Sequence, residues 1–213
     1  MSVQAILFDM DGLMFDTERL ADGMWIETGA NHGFTITPSD VAMLRGVNRA
    51  MGKKLFMEHF GEDFPYDMLL DETVEKFTAS LAKHVPLRPY LMELLTELEK
   101  RGIPTAVGSS TNRVLVEQNL RVAGVEKHFQ AIVAGDEVKN SKPAPEVFLK
   151  CAEKLGADPA NCIVLEDSYN GIRAGHAAGC KAIMIPDMDP PTPEMEQLAF
   201  AILPSLREVI DFI

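Results

Sequence analysis

Short apolar runs alternate with amphipathic segments along most of this chain. Runs of the length of a buried strand occupy residues 3–8, 103–107, 131–134, 162–165, 181–185 and 199–203. Helical spacing of apolar positions predicts helices at 89–101, 112–123, 145–155, 170–178, 194–198 and 205–212. Strands that are apolar throughout and separated by helices are typical of a parallel sheet covered on both faces. The pattern therefore predicts an α/β fold, a doubly wound, Rossmann-like parallel sheet.

Residues 17–86 have a different pattern, with helical spacing and no strand-like alternation. Amphipathic runs cover 18–32, 51–60 and 66–84, and Thr37-Pro38-Ser39-Asp40 is typical of a helix start. The strand at 3–8 needs neighbours and must join the later sheet. We therefore expect a core domain made of residues 1–16 and 87–213, with a helical cap domain, residues 17–86, inserted after the first strand.

Composition narrows the classes of function. The 213 residues carry a formal net charge of −12, the sequence pI is about 4.8 and the sequence has no basic run, so we do not expect binding to nucleic acid. No apolar run is long enough to span a bilayer. The cysteines, Cys151, Cys162 and Cys180, are odd in number and lack metal-site spacing, which indicates reduced thiols in a cytoplasmic protein. We expect a monomer that acts on a small molecule.

Polar residues with catalytic chemistry follow the predicted strands. In parallel sheets, ligands bind beyond the carboxyl ends of the strands. The candidates at these ends, and in the loop before the 145–155 helix, are Asp9, Asp11, Ser109, Ser110, Thr111, Asn112, Asp136, Lys142, Glu166, Asp167 and Ser168. Each group alone could be a turn, a helix cap or a solvated charge. Together they form a set that turns do not need, which favours a site.

The chemistry of this set indicates phosphoryl transfer. Asp9 and Asp11 repel each other unless a cation or a proton lies between them. Asp9, Asp167 and Glu166 can supply the hard oxygen ligands that Mg²⁺ prefers. Ser109 could donate to a phosphate oxygen and Lys142 could stabilise the transferring group, while Asp11 moves a proton.

The same residues resemble four motifs of the haloacid dehalogenase-like hydrolase superfamily. The matching stretches are Asp9-Met10-Asp11-Gly12, Ser109 after the second strand, Ser141-Lys142-Pro143 and Leu165-Glu166-Asp167-Ser168. The helical insert is similar to the small cap of the β-phosphoglucomutase-like subgroup. The resemblance implies that Asp9 is the nucleophile and that Asp11 binds Mg²⁺ through its main-chain carbonyl while its side chain is the acid and base. It also implies that Ser109 and Lys142 bind phosphate, with Ser110, Thr111 and Asn112 as neighbouring candidates.

The cap contains a second candidate group, Arg45-Gly46-Val47-Asn48-Arg49. Arg45, Asn48 and Arg49 could reach the substrate when the cap closes. Phosphoglucomutase-like members have a similar stretch whose last arginine holds a second phosphate. The alternative is a helix end with solvated arginines.

These observations predict a Mg²⁺-dependent phosphatase that hydrolyses a small phosphorylated metabolite through an aspartyl-phosphate intermediate. We expect this metabolite to be a sugar phosphate. The alternative enzyme is a β-phosphoglucomutase-type phosphosugar mutase. The cap histidine of such mutases is absent, because its place falls near Ala21. A non-catalytic binding protein would be expected to lack at least one motif residue, and all are present.

Overall fold

The computed structural model describes residues 3–45, 47 and 49–213. Within them, six strands form one sheet: Ala5–Phe8 (β1), Thr105–Gly108 (β2), Ala131–Val133 (β3), Cys162–Glu166 (β4), Lys181–Met184 (β5) and Ala201–Ile202 (β6). The order is β3-β2-β1-β4-β5-β6 and every pairing is parallel. Leu7 of β1 lies beside Ala106 of β2 and Val164 of β4, so β1 is central. The predicted doubly wound α/β fold is confirmed.

Helices connect these strands. Their bounds are Thr17–Asn31 (α1), Pro38–Ala42 (α2), Arg49–Phe60 (α3), Tyr66–Leu81 (α4), Leu91–Arg101 (α5), Arg113–Val122 (α6), Glu146–Leu155 (α7), Tyr169–Ala177 (α8) and Pro193–Leu198 (α9). Among the described helices, none combines the length and the apolar character needed to cross a membrane.

Both faces of the central strand, β1, are buried. Leu7 packs in a cluster with Phe148 of α7 and Ile172 of α8. Ile6 and Phe8, which alternation directs to the other face, are equally inaccessible to solvent. A strand buried on both sides must be apolar at every position, which explains the uniform pattern of β1.

The chain divides into two compact units. The core unit consists of Met1–Asp16 and Val85–Ile213, and the cap unit of Thr17–His84. Within the cap unit, Trp25 is buried against Phe56 and Tyr66, with ring centroids 5.5 and 5.6 Å away. Trp25 therefore belongs to the aromatic core of the cap helices.

Several elements differ from the sequence prediction; for example, the strand predicted at 103–107 is Thr105–Gly108, and the helix predicted at 51–60 begins at Arg49. The helix predicted from residue 89 begins at Leu91, because Tyr90, at the N-cap position, has a left-handed backbone with φ of 66° that does not continue a helix. The strand predicted at 199–203 shortens to Ala201–Ile202, at an edge of the sheet where hydrogen bonds come from β5 alone. The final predicted helix is a 3₁₀ helix, Leu206–Phe212.

The three cysteines are free thiols buried in the core unit. Burial raises the pKa of Cys151 to about 12 and that of Cys162 to about 11. Both side chains therefore stay protonated and act as small core residues.

Candidate active site

The loop after β1 carries the first pair of carboxylates. Asp9 is buried, and its backbone N–H donates to the carbonyl of Leu165, which extends the β1–β4 pairing by one residue. The chain then turns on itself, with the Gly12 N–H donating to the carbonyl of Phe15 at 2.9 Å. Gly12 has φ of 82°, and a Cβ at this position would overlap the Asp167 carboxylate. Glycine is therefore required here both by the turn and by the approach of the loop after β4.

The loop after β2 reaches the same place. Ser109 is buried, and its Oγ accepts from the Thr111 N–H at 3.0 Å. The Thr111 hydroxyl donates to Asp11 Oδ2 at 2.9 Å. Thr111 thus links Ser109 to Asp11, although the motif with Asp11 and the motif with Ser109 are about a hundred residues apart in the chain.

Two other candidates are placed at helix starts. Asn112 is exposed and accepts from the Leu115 N–H at 3.1 Å, which makes it the N-cap of α6. Asp136 accepts from the Arg113 N–H at 2.9 Å, at the start of the same helix. Ser110 is exposed.

Lys142 lies between two carboxylates. Its Nζ forms ion pairs with Asp9 Oδ1 and with Glu166 Oε1, the latter at 2.6 Å, and its side chain is 6% exposed. The ammonium group also lies 4.9 Å from the centre of the Phe148 ring. The lysine from the loop before α7 is therefore brought to the ends of β1 and β4.

Glu166 is held by the turn that follows it. Its Oε2 accepts from the Asp167 N–H at 3.1 Å, the Ser168 N–H at 3.0 Å and the Ser168 hydroxyl at 2.9 Å. A Cβ on Gly171, in the first turn of α8, would overlap the Glu166 carboxylate. Gly171 was not among the predicted site residues, and its only sequence signal is a glycine inside a predicted helix, shortly after the carboxylates.

Without a bound cation, the electrostatics of the cluster disfavour ionisation of its acids. Burial, and then the charge of Glu166, raise the pKa of Asp9 well above its ordinary value despite Lys142. Burial and the charges of Glu166 and Asp9 likewise raise the pKa of Asp167. For Lys142, burial disfavours the charged amine, but Asp9 and Glu166 outweigh it and raise its pKa. The lysine is therefore charged, and the carboxylates around it would be stabilised by more positive charge.

A divalent metal ion fits this arrangement. Asp9, Glu166 and Asp167 each offer a carboxylate oxygen, and these atoms lie within 4.8 Å of one another. Both oxygens of Glu166 are engaged by Lys142 and the following turn, whereas Asp167 Oδ1 is buried without a hydrogen-bond partner. A buried carboxylate oxygen without a partner is costly unless an ion completes its contacts. Among the described acids, Asp9 and Asp167 are therefore the best-placed metal ligands.

Two of the three cap candidates, Arg45 and Arg49, form ion pairs within the cap unit. Arg45 donates to Asp22 Oδ2 at 2.8 Å, and both side chains are largely buried. Asn48 lies outside the described residues.

Arg49 is the first residue of α3 and binds two carboxylates of α4. Its guanidinium donates to Asp67 at 2.9 Å and to Asp71 at 2.8 and 3.2 Å. The two carboxylates balance the positive charge of the guanidinium, and the contacts join α3 to α4.

Comparison with known proteins agrees with this geometry. The model of the family described as haloacid dehalogenase-like hydrolase matches residues 6–185. The fructose-1-phosphate phosphatase YqaB of Escherichia coli (strain K12) is 33% identical over 178 residues, covering 84% of this chain and 94% of the relative. Hexitol phosphatase B of the same strain is 30% identical over 209 residues, covering 97% and 94%.

Other matches extend the picture. A solved structure from Thermotoga maritima, provisionally named β-phosphoglucomutase, is similar with a TM-score of 0.83 at 26% identity, covering 98% of this chain and 97% of that chain. Two relatives from Arabidopsis thaliana are longer proteins, of which this chain spans 18% and 48%.

Proposed function

Because the chain belongs to the haloacid dehalogenase-like hydrolase family, we propose that it is a phosphoric monoester hydrolase that removes phosphate from a small phosphorylated sugar or sugar alcohol. The observation that carries the proposal is the meeting of Asp9, Lys142 and the Thr111–Asp11 pair at one edge of the sheet. The sugar class is suggested by the names of two relatives, a fructose-1-phosphate phosphatase and a hexitol phosphatase.

Asp9 is the nucleophile in this proposal. Its carboxylate attacks phosphorus, the bond from phosphorus to the leaving oxygen breaks, and Asp11 gives its proton to that oxygen. Water then attacks the aspartyl phosphate while Asp11 takes its proton, which releases phosphate and restores Asp9. Lys142 offsets the negative charge on the nucleophile and on the transferring group. The Ser109 oxygen already accepts from Thr111, so its own proton is available for a phosphate oxygen.

Mg²⁺ is the proposed cofactor. Asp9 and Asp167 would hold it, together with the main-chain carbonyl of Asp11, and Glu166 would orient Lys142 and the Asp167 backbone. When bound, the ion supplies the positive charge that lets a phosphate dianion approach a carboxylate.

The mutase alternative has less support. A mutase must anchor the second phosphate of a bisphosphate intermediate, and Arg49 is the residue predicted for that purpose. Arg49 is already bound by Asp67 and Asp71 within the cap unit. Recruiting it would break these contacts and bring an anion close to Asp71 and to Asp67, of which Asp67 keeps an ion pair with Lys53 at 2.6 Å; this favours hydrolysis. A substrate-binding role for Arg45, Asn48 and Arg49 stays a prediction.

The test is a screen of phosphorylated sugars and sugar alcohols with Mg²⁺, measuring released phosphate. We expect hydrolysis by the unmodified protein and none by Asp9→Asn, because an amide cannot attack phosphorus. Glu126→Gln, a carboxylate-to-amide change at an exposed position, is the matched control and should keep full activity. Phosphate release by metal-loaded Asp9→Asn at the normal rate would overturn the nucleophile assignment. Conversion of β-glucose 1-phosphate to glucose 6-phosphate without free phosphate would make the protein a mutase.

A further inference from the structure

A buried ion pair in the core unit lies outside the predicted site. Arg88 Nη1 donates a hydrogen bond to Asp187 Oδ1, and the two side chains are 14% and 1% exposed. The two residues are 99 positions apart in the chain. Removing one partner of a buried pair leaves the other charge uncompensated, so such a pair constrains the segments that it joins.

Arg88 belongs to a segment that supports the loop carrying Asp9 and Asp11. Its backbone N–H donates to the carbonyl of Met14 at 2.8 Å, and the Asp16 N–H donates to the carbonyl of Pro86 at 2.9 Å. Between these two hydrogen bonds, Phe15 forms an antiparallel bridge with Leu87. Residues 86–88 therefore form a short backbone ladder with residues 14–16 of the loop.

The same loop segment contacts Asp11 directly. Phe15 forms a parallel bridge with Asp11 and accepts a hydrogen bond from the Gly12 N–H. Phe15 thus connects the backbone at Asp11 to residues 86–88, and the Phe15 N–H also donates to the carbonyl of Met10 at 3.1 Å.

Asp187 is fixed at the other end of the pair. It follows β5, where the Ile185 N–H donates to the carbonyl of Glu166 at 2.7 Å. The ion pair therefore ties the ladder to the strand end that carries Glu166. Two residues beyond Arg88, Tyr90 is the only non-glycine residue among those described that has a positive φ, 66°. Such a backbone persists only where its surroundings fix it, which agrees with a tightly held segment.

We infer that Arg88 and Asp187 are positioning residues for Asp11. The ion pair holds residues 86–88 against the loop after β1, and this contact keeps the Asp11 carboxyl in line with the leaving oxygen. The inference rests on the proposed function for its kinetic consequence. Its structural part, the dependence of the ladder on the ion pair, is independent of any activity.

The structural test is amide hydrogen exchange of the full chain. Asp187→Asn should speed exchange at the Asp16 and Arg88 amides, which make the ladder hydrogen bonds. The matched control is Glu194→Gln, which removes a carboxylate from an arginine pair between α8 and α9. It should leave these two amides unchanged. Unchanged protection of both amides in folded Asp187→Asn would overturn the inference, whether or not the protein hydrolyses phosphate esters.

The kinetic test compares two leaving groups in the first turnover. A misplaced general acid slows departure of an alkoxide, which needs a proton, more than departure of p-nitrophenolate, which needs little. We expect Asp187→Asn to slow alcohol release from a sugar phosphate about tenfold or more, since small displacements of a catalytic group have large effects. Release of p-nitrophenolate should change by less than about threefold, with KM nearly constant for both.

Conservative replacement completes the design. Arg88→Lys keeps a positive charge within reach of Asp187 and should recover most of the rate, whereas Arg88→Gln should behave like Asp187→Asn. If Asp187→Asn does not fold, the Arg88 pair of variants gives the same comparison. Equal slowing for the two leaving groups, or no slowing in a folded variant, would contradict the positioning role. Absence of any hydrolysis by the unmodified protein would instead count against the proposed function, and the exchange experiment would still decide the structural part.

Discussion

The charge and orientation of individual side chains at the candidate site are determined by contacts between the loops at the carboxyl ends of the strands. Lys142 is charged because Asp9 and Glu166 flank it, and Asp11 is reached by the hydroxyl of Thr111. Each contact joins residues from loops or strand ends that are distant in the sequence and is made by only one or two atoms. Changes that keep the shape of a side chain and remove one atom are therefore the sharpest tests at this scale.

Thr111→Val removes only the hydroxyl that donates to Asp11. If Thr111 orients the general acid, the variant should slow release of a poor leaving group by about tenfold, which is less than the roughly 100-fold or more that a general acid contributes, because the Asp11 carboxyl itself remains. KM should change little, and Thr111→Ser should restore the rate. Single-turnover kinetics with a sugar phosphate and p-nitrophenyl phosphate measure this. A rise in KM for both esters with an unchanged first turnover would assign Thr111 to substrate binding instead.

At the scale of elements, the first turn of α8 and the end of β4 form one unit. Ser168 caps α8 through the Gly171 N–H and also donates to Glu166, while Gly171 leaves space for the same carboxylate. The helix start thus fixes the orientation of Glu166, which in turn holds Lys142.

Gly171→Ala should therefore destabilise the protein and reduce its activity. The added methyl group would displace Glu166, at a cost of about 1–3 kcal/mol typical of overpacking. The matched control is Gly23→Ala in α1, where an added Cβ meets nothing within 4 Å. That substitution should stabilise the protein by up to about 1 kcal/mol, because alanine has a higher helix propensity than glycine at an exposed position inside a helix. Urea unfolding of both variants checks the opposite signs, and a neutral Gly171→Ala would show that Glu166 can move freely.

The start of α2 gives a pH-dependent prediction. Hydrogen bonds from Thr37, assisted by His59 at 3.0 Å, lower the pKa of Asp40. A lowered carboxyl pKa stabilises the fold fully above the unfolded value of about 4 and loses this effect as the pH falls through the folded value. Thr37→Ala should cost about 1 kcal/mol at pH 7 and less at pH 3.

Thr192→Ala at the start of α9 is the control for that experiment. Thr192 accepts from the Met195 N–H at 3.4 Å, as Thr37 does from the Asp40 N–H at 3.4 Å, but has Met195 where α2 has an acid. Its cost should be the same at both pH values. A Thr37→Ala cost that stays constant from pH 7 to pH 3 would contradict the assigned role of Asp40.

At the scale of the whole molecule, folding brings together carboxylates that are far apart in the sequence. Asp9 comes from the first strand and Asp167 from the fourth, and burial raises the pKa of both. A bound cation would relieve their repulsion in the folded state alone, because the unfolded chain has no such site.

Mg²⁺ should therefore raise the thermal midpoint of the unmodified protein. At a concentration of one hundred times Kd, the expected stabilisation is about 2.7 kcal/mol. Asp167→Asn should lose most of this shift, whereas Asp136→Asn, at the end of β3 and outside the cluster, should keep it. Differential scanning calorimetry with and without EDTA measures the difference. Equal Mg²⁺ shifts in both variants would remove Asp167 from the metal site.

The sequence by itself determined the architecture and the residue types of the site. Strands buried on two faces must be apolar throughout, so the pattern of 162–165 predicted β4 without reference to any partner. Because the carboxyl ends of parallel strands share one edge, the polar residues after each strand could be grouped before their distances were known. The resemblance carried by these motifs was confirmed by the family match over residues 6–185.

Only the tertiary structure decided how these groups contact one another. Hydrogen bonds between side chains depend on atomic positions, which local periodicity does not encode. Asn112 and Thr111 are neighbours in sequence, yet one caps a helix and the other reaches Asp11. The Arg88–Asp187 pair joins residues 99 positions apart and has no local pattern at all. Its partners are set by how the strand ends and the loop after β1 pack, because long-range contacts of this kind arise when the sheet assembles.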